Sequence, residues 1–257
     1  PLQVAVDPFV SIRIARISLR ACVGGADDQD YLLRVGGDAR LVYEPWDDVS
    51  FDAGYQGARE RSVATDADFS FWGDLTDPAG PDSISGTSVA DLTSDPRYPA
   101  SPVLVLPVYS FNSRDAFLDE SHENYGATIE GFLTPKDSAS YNFFLRSDDA
   151  SQLWISTDET EANLVMVAEE TGSGQAFLEP DPNVGGWHDN GSGVGQTTLT
   201  PIALVAGKNY FVRVIYKEGS GADYGQVAWR KMTDTTAAGK LKPIPADHIL
   251  ARKASDL

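Results

Sequence analysis

Cysteine is almost missing from this 257-residue chain. Cys22 stands alone, so no intramolecular disulfide can form, and both a cytoplasmic setting and a disulfide-free extracellular one stay open. The residue reads as a small buried apolar side chain. Histidine is scarce as well. His122, His188 and His248 lie far apart and lack the clustered spacing of a zinc site. No apolar run approaches the ~18 residues of a membrane helix, so no insertion into a bilayer is expected. Basic residues are few: 20 Lys+Arg face 38 Asp+Glu, a net charge of −18. Such a surface repels phosphate backbones, which argues against nucleic acid as a partner.

Motifs of common chemistries are absent too. There is no G-x-S-x-G elbow, and the glycine loops "GSGVGQ" and "GSGADYG" precede no helical pattern, so neither a serine hydrolase nor a nucleotide cradle is expected. A glycosidase needs two carboxylates across a cleft, but among 38 acids such a pair carries no signal. The chain is therefore read as a non-enzyme, at most a non-catalytic appendage of a glycan-active enzyme. No EF-hand pattern occurs. The chain opens on Pro1 without an initiator Met or a recognisable signal peptide, which fits a processed or trimmed product. One sequon, Asn190-Gly191-Ser192, matters only in a glycosylating host.

What is present is β-pattern. Hydrophobic residues make up 42% of the chain, enough for a core, and 23 Gly with 15 Pro make it turn-rich. "VSIRIARISL" (Val10–Leu19) alternates, then shifts phase as at a bulge. "DYLLRV" and "RLVYEPW" read as a strand pair around Gly36-Gly37-Asp38. "DADFSFWGDL" puts Phe69 and Phe71 on one face and Trp72 on the other. Thr76–Gly86 is poor in anything to bury and is the best boundary; the Pro-punctuated "TSVADLTSDPRYPASP" after it reads as irregular. Three strands follow, Gly126–Leu133, Ala139–Arg146 and Gln152–Ser156, with Asp148-Asp149 in the tight connection before the third. Residues 171–196 form a long Gly-, Asp- and Asn-rich loop. "NYFVRVIYK" places Tyr210, Val212, Val214 and Tyr216 on one face, and "QVAWRK" reads as its partner strand across "EGSGADYG". The tail "KLKPIPADHI" reads as extended. The expected architecture is all-β: a β-sandwich preceded by a smaller strand-rich N-terminal region.

Two like charges at a strand joint raise a question of their own. Asp148 and Asp149 could be a solvated turn. A cation is the sharper reading, since Asp223 sits in a glycine loop some seventy residues on and loops at one end of a sandwich converge. Ca²⁺ takes 6–8 oxygens, and glycines at 219, 221 and 225 let backbone carbonyls turn toward an ion.

"GTSVADLTSDPRYPASP", "YGATIEGFLTPKDSASYNFFLRSDDASQLWIST" and "LVAGKNYFVRVIYKEGSGADYGQVAWRK", in that order and followed by "IPADHI", resemble the PA-14 (protective-antigen) domain family over residues 84–250. The resemblance leaves residues 1–80 as a separate strand-rich region and 251–257 as a tail. It implies a β-sandwich with a jelly-roll-like core, met as a module of secreted or surface proteins. In lectin-like members two consecutive aspartates joined by a cis peptide hold Ca²⁺, and vicinal hydroxyls of a sugar complete the coordination. The matching pair is Asp148-Asp149. The second ligand loop matches "KEGSGADYG", with the Asp223 side chain and backbone carbonyls of Gly221, Ala222 or Tyr224. Two departures, Ala150 after the pair and Tyr224 after the loop aspartate, bear on sugar preference. Tyr224 could stack on a sugar; Gln196 and Trp187 are rim candidates.

The function expected on these grounds is Ca²⁺-dependent binding of glycans by a secreted or cell-surface protein. The alternative is a structural subunit or spacer of an extracellular assembly, in which residues 10–19 pair with a neighbouring chain.

Overall fold

The computed structural model describes residues 67–185, 187 and 193–250. The strand expected at 10–19, the strand pair expected around residues 36–38, Cys22, His188, the sequon and residues 251–257 lie outside the described residues.

Among the described residues ten strands and one short α-helix follow in order: β1 (Ala67–Trp72), α1 (Val89–Thr93), β2 (Leu104–Val108), β3 (Tyr125–Leu133), β4 (Ala139–Asp148), β5 (Ser151–Ser156), β6 (Leu164–Glu170), β7 (Ile202–Leu204), β8 (Tyr210–Glu218), β9 (Tyr224–Lys231) and β10 (Ile249–Leu250). All pairing among these strands is antiparallel. A large sheet runs β2-β1-β3-β8-β5-β6, with β10 joining β3 beyond the end of β1; a small sheet runs β7-β4-β9. The two layers form the expected all-β sandwich.

Alternation in the strands decides what lies between the layers. Tyr210, Val212, Val214 and Tyr216 of β8 face the core, together with Phe69 and Phe71 of β1, Leu153 and Ile155 of β5, and Tyr141, Phe143 and Leu145 of β4. Each such side chain removed from water contributes roughly 1.5–3 kcal/mol. The opposite faces of β1 and β8 are covered as well. Trp72 and Ile215 pack with Ile84, Val89 and Leu92 of the α1 segment and with Ala150. The segment read as irregular therefore holds a helix. It starts at Ser88, whose backbone N–H and Oγ–H both donate to Asp91 Oδ2, at 2.9 and 2.7 Å. Its close seat needs Gly126, where a Cβ would fall 2.4 Å from Leu92 Cδ1.

Two expectations about the strands are corrected. β1 lies between β2 and β3 in the large sheet, so Ala67–Trp72 belongs to the sandwich rather than to an N-terminal region, and Thr76–Gly86 is a connection inside it. The tight Asp149–Ala150 connection is a crossover: β4 pairs β7 and β9, whereas β5 pairs β6 and β8. For the same reason β8 and β9 are not partners. Both links carry the chain from one sheet to the other. Apolar residues on β4 and β5 fill the same core from opposite layers, which a flat hairpin could not achieve.

Candidate metal centre

The two crossovers lie side by side and run in opposite directions. The first passes from β4 to β5 through Asp149 and Ala150; the second passes from β8 to β9 through Gly219–Asp223. They adjoin because β4 pairs β9, with Asp148 opposite Tyr224, and β5 pairs β8, with Ser151 opposite Tyr216. Small hydroxyl residues allow the turn to be tight: Ser147 Oγ and Ser151 Oγ are 2.6 Å apart and buried.

Four hydrogen bonds clasp the links. Asp149 N–H donates to Lys217 O at 3.1 Å and Lys217 N–H to Ala150 O at 2.9 Å. Gly219 N–H donates to Asp149 Oδ2 at 3.0 Å. The Tyr216 hydroxyl donates to the Asp148 carbonyl at 2.8 Å and lies 3.0 Å from Glu218 Oε2. The Asp148–Asp149 peptide is cis. Gly219 is required by close approach: a Cβ there would sit 2.9 Å from Asp149 Oδ2 and 2.7 Å from Thr87 Cγ2.

Beside the clasp the acids converge. Glu123, Glu218 and Asp223 each present a carboxylate oxygen, all within 4.8 Å of one another. Asp223 Oδ2 accepts from His122 N–H at 3.2 Å, and Glu123 Oε2 accepts from Gly221 N–H at 3.0 Å, where Gly221 has φ +116°. Glu218 is fully buried and Asp223 nearly so, yet Glu218 Oε1 and Asp223 Oδ1 have no hydrogen-bond partner. A buried carboxylate oxygen left unpartnered is costly.

Electrostatics record that cost. Burial, with Asp223, Asp149 and Asp148 nearby, pushes the Glu218 carboxyl up to about 9. Burial likewise raises Asp223 to about 7, reinforced by Glu123 and Glu120 and opposed by the His122 N–H. Asp148 is raised too, chiefly by burial and then by Asp149. Lys217, fully buried behind the clasp, is lowered to about 8 by burial against the pull of Glu218, Asp91 and Asp149.

The donor set suits a hard cation. Ca²⁺ binds oxygens at 2.3–2.6 Å, so two oxygens on one ion stand at most roughly 5 Å apart, the scale of this cluster. A divalent ion would satisfy both orphaned oxygens and relieve the mutual repulsion. The described histidines take no part through their rings: His122 stacks on Phe117 at 3.9 Å, and His248 lies edge-on to Trp229 at 4.9 Å.

Asp148, Asp149, Asp223 and the loop residues Gly221 and Ala222 are thus brought to one end of the sandwich. Tyr224 lies there too. Its hydroxyl donates to Gly174 O at 3.3 Å, and its ring is flanked by the Arg114 and Arg146 guanidiniums at 5.7 and 5.5 Å. Gln196 is not on a rim. It is fully buried, and its amide donates to Ala176 O at 3.0 Å and Leu145 O at 3.4 Å, fastening the long loop to β4. Trp187 packs on Gly195, where a Cβ would fall 2.0 Å from its ring. Sequence reading missed Glu123 and Glu218. The second stands in the quoted loop beside Asp223 and could have been taken with it; the first reaches the loop across 98 residues and left no local signal.

Fold and site together define a class: a two-sheet all-β module whose paired crossovers gather carboxylates at one mouth. The chain belongs to the PA14 domain family, whose model matches residues 105–237, just over half of it. It is 31% identical over 109 residues to the mouse N-acetyl-beta-glucosaminyl-glycoprotein 4-beta-N-acetylgalactosaminyltransferase 1, a match covering 42% of this chain and 10% of that protein. The chain thus spans only about a tenth of that relative's length. Similar solved structures include a PA14 sugar-binding domain from an RTX adhesin, at 14% identity and TM-score 0.47, covering 74% of this chain and 99% of that one. The PA14 domain of the MpAFP antifreeze protein matches at 11% identity and TM-score 0.44, covering 73% and 91%. The epithelial adhesin 6 A domain of Candida glabrata, solved with Galb1-3GlcNAc, matches at 12% identity and TM-score 0.42, covering 74% and 88%. Among the described residues no helix is long and apolar enough to cross a membrane.

Proposed function

We propose that the acidic mouth holds one Ca²⁺ ion and that the chain recognises glycans through it, as a non-catalytic module of a secreted or cell-surface protein. One observation carries this reading. Glu218 Oε1 and Asp223 Oδ1 are buried and unpartnered within a three-carboxylate cluster beside the Asp148–Asp149 link. Asp148, Asp149, Glu218, Asp223 and Glu123 would hold the ion, with backbone carbonyls from Gly221, Ala222 or Tyr224. A bound Ca²⁺ supplies open coordination positions for neutral oxygen donors, and vicinal hydroxyls of a sugar match them.

The chain's own residues set the frame. Tyr216 and Gly219 fix the backbone and carboxylate of the Asp pair. Tyr224, held by Gly174 and flanked by Arg114 and Arg146, offers an aromatic wall next to Asp148. Membership of the PA14 family supports the glycan half, since the lectin-like members that the motifs resemble use an aspartate pair in this way. The test is titration calorimetry with Ca²⁺ followed by a glycan array read with and without EDTA. Saturable Ca²⁺ binding at or below millimolar levels and EDTA-reversible glycan signals are expected. No heat of binding at millimolar Ca²⁺ would sink the proposal.

A further inference from the structure

Lys217 is out of place for a lysine. Along β8 the even-numbered side chains face the core, so Lys217 points to the outer face of the large sheet, where lysines normally run their stems to water. Instead it is fully buried. Its ammonium donates to two backbone carbonyls, Gly86 O at 2.7 Å and Glu218 O. Gly86 opens the stretch that leads into α1, and this stretch leans on the first crossover: Ala150 N–H donates to Thr87 O at 3.4 Å. The Lys217 backbone meanwhile pins Asp149 and Ala150 from the other side. One residue therefore ties together the Asp149–Ala150 link, the start of the Gly219–Asp223 link and the wall in front of α1. Two carboxylates border the Gly86 carbonyl that holds the ammonium: a Cβ at Gly86 would fall 2.4 Å from Asp91 Oδ2, and one at Gly219 would fall 2.9 Å from Asp149 Oδ2 and 3.2 Å from Gly86 O.

An isolated ammonium is expensive to bury; here the Gly86 and Glu218 carbonyls solvate it, and the Asp91 and Asp149 carboxylates offset part of the remaining cost. The relation is reciprocal, because the Asp91 and Asp149 carboxylates face a positive charge here even when no metal ion is bound. We propose that Lys217 is a positioning residue for the acidic mouth: a built-in counter-cation that holds the crossover clasp together in the ion-free protein. The inference rests on reading the mouth as a cation site only for its second consequence. The same fixed charge opposes an incoming divalent ion, so the lysine trades cation affinity for a site that is already formed.

The experiment is a double-mutant cycle on the full chain in EDTA, with thermal and urea unfolding of wild type, Lys217→Met, Asp149→Asn and the double variant. Lys217→Met is expected to lower Tm, and to lower it by less than half as much in the Asp149→Asn background. Equal losses in both backgrounds would overturn the proposal. If Lys217→Met does not fold, Lys217→Gln, which keeps a donor for the Gly86 carbonyl but no charge, takes its place in the same cycle. In Ca²⁺ the Lys217 variant should bind about tenfold more tightly than wild type by calorimetry, a change that loss of packing alone would not produce; weaker binding would count against the counter-cation. If wild type itself binds no Ca²⁺, the proposed function fails while the cycle in EDTA still decides the role of Lys217.

Discussion

The carboxylate of Asp149 accepts the backbone N–H of Gly219 at 3.0 Å, joining two sheet-to-sheet links that lie 70 residues apart in the chain. An ion bound at this junction stabilises the folded state by mass action. At a hundredfold excess over Kd the gain is about 2.7 kcal/mol, or roughly 5–10 °C in Tm for a domain of this size. Asp149→Ala is expected to abolish that rise. Glu218→Gln should weaken Ca²⁺ at least tenfold, yet leave the Tm in EDTA within about 2 °C of wild type, because the amide resembles the neutral carboxyl that burial favours. Differential scanning fluorimetry with Ca²⁺ and with EDTA reads both.

Gly219→Ala probes the junction without touching a charge. The added methyl would meet Asp149 Oδ2 at 2.9 Å and Thr87 Cγ2 at 2.7 Å. Overpacking of this kind costs about 1–3 kcal/mol, and it should push the Asp149 carboxylate out of register with Gly219. The expected result is a lower urea midpoint together with a weaker Ca²⁺ isotherm. A stability loss with an unchanged isotherm would separate this junction from the ion site.

The place of β1 is tested by its core. Phe71 is fully buried, stacked on Tyr125 at 5.0 Å and edge-on to Phe117 at 5.4 Å. Phe71→Ala should cost about 3–5 kcal/mol in chemical denaturation. A fragment beginning at residue 84 loses the strand between β2 and β3 and is expected not to give dispersed amide signals by NMR.

Acid stability has a specific contributor in Asp158, at the turn between β5 and β6. Its carboxylate accepts from Thr160 N–H and Oγ–H at 2.8 and 2.7 Å and from Asn163 Nδ2 at 2.7 Å. These bonds, those of Thr160 first, lower the carboxyl to about 2. A depressed carboxyl stabilises the fold above its unfolded value, and the contribution fades as pH falls toward the folded one. Asp158→Asn should therefore lower Tm at pH 7, with a gap to wild type that narrows between about pH 4 and pH 2.

Strand identity was legible where burial differs between the two faces. The Phe69/Phe71 against Trp72 alternation and the even-numbered face of β8 are both reproduced in the packing. Partner choice was not legible. A short polar link such as Asp149–Ala150 looks the same in a hairpin as in a crossover, and what separates them is the non-local pairing of β4 with β9 and β5 with β8. The Asp pair stood out because adjacent like charges between apolar runs are unusual, whereas Glu123 carries no local mark. Gln196 misled for a related reason: a polar residue in a glycine-rich loop suggests water, but its amide is consumed by the carbonyls of Leu145 and Ala176.

The antiparallel crossovers have a mechanical consequence. Prising the two sheets apart at this end stretches both links at once, and an ion gripped by both would have to be shed before either could lengthen. Toughness at the mouth would then follow the calcium content of the surroundings instead of the packing of the core, and a module pulled along its chain would stiffen or yield with the medium. Single-molecule pulling in Ca²⁺ and in EDTA measures this directly; equal rupture forces in the two would remove the mouth from the load path.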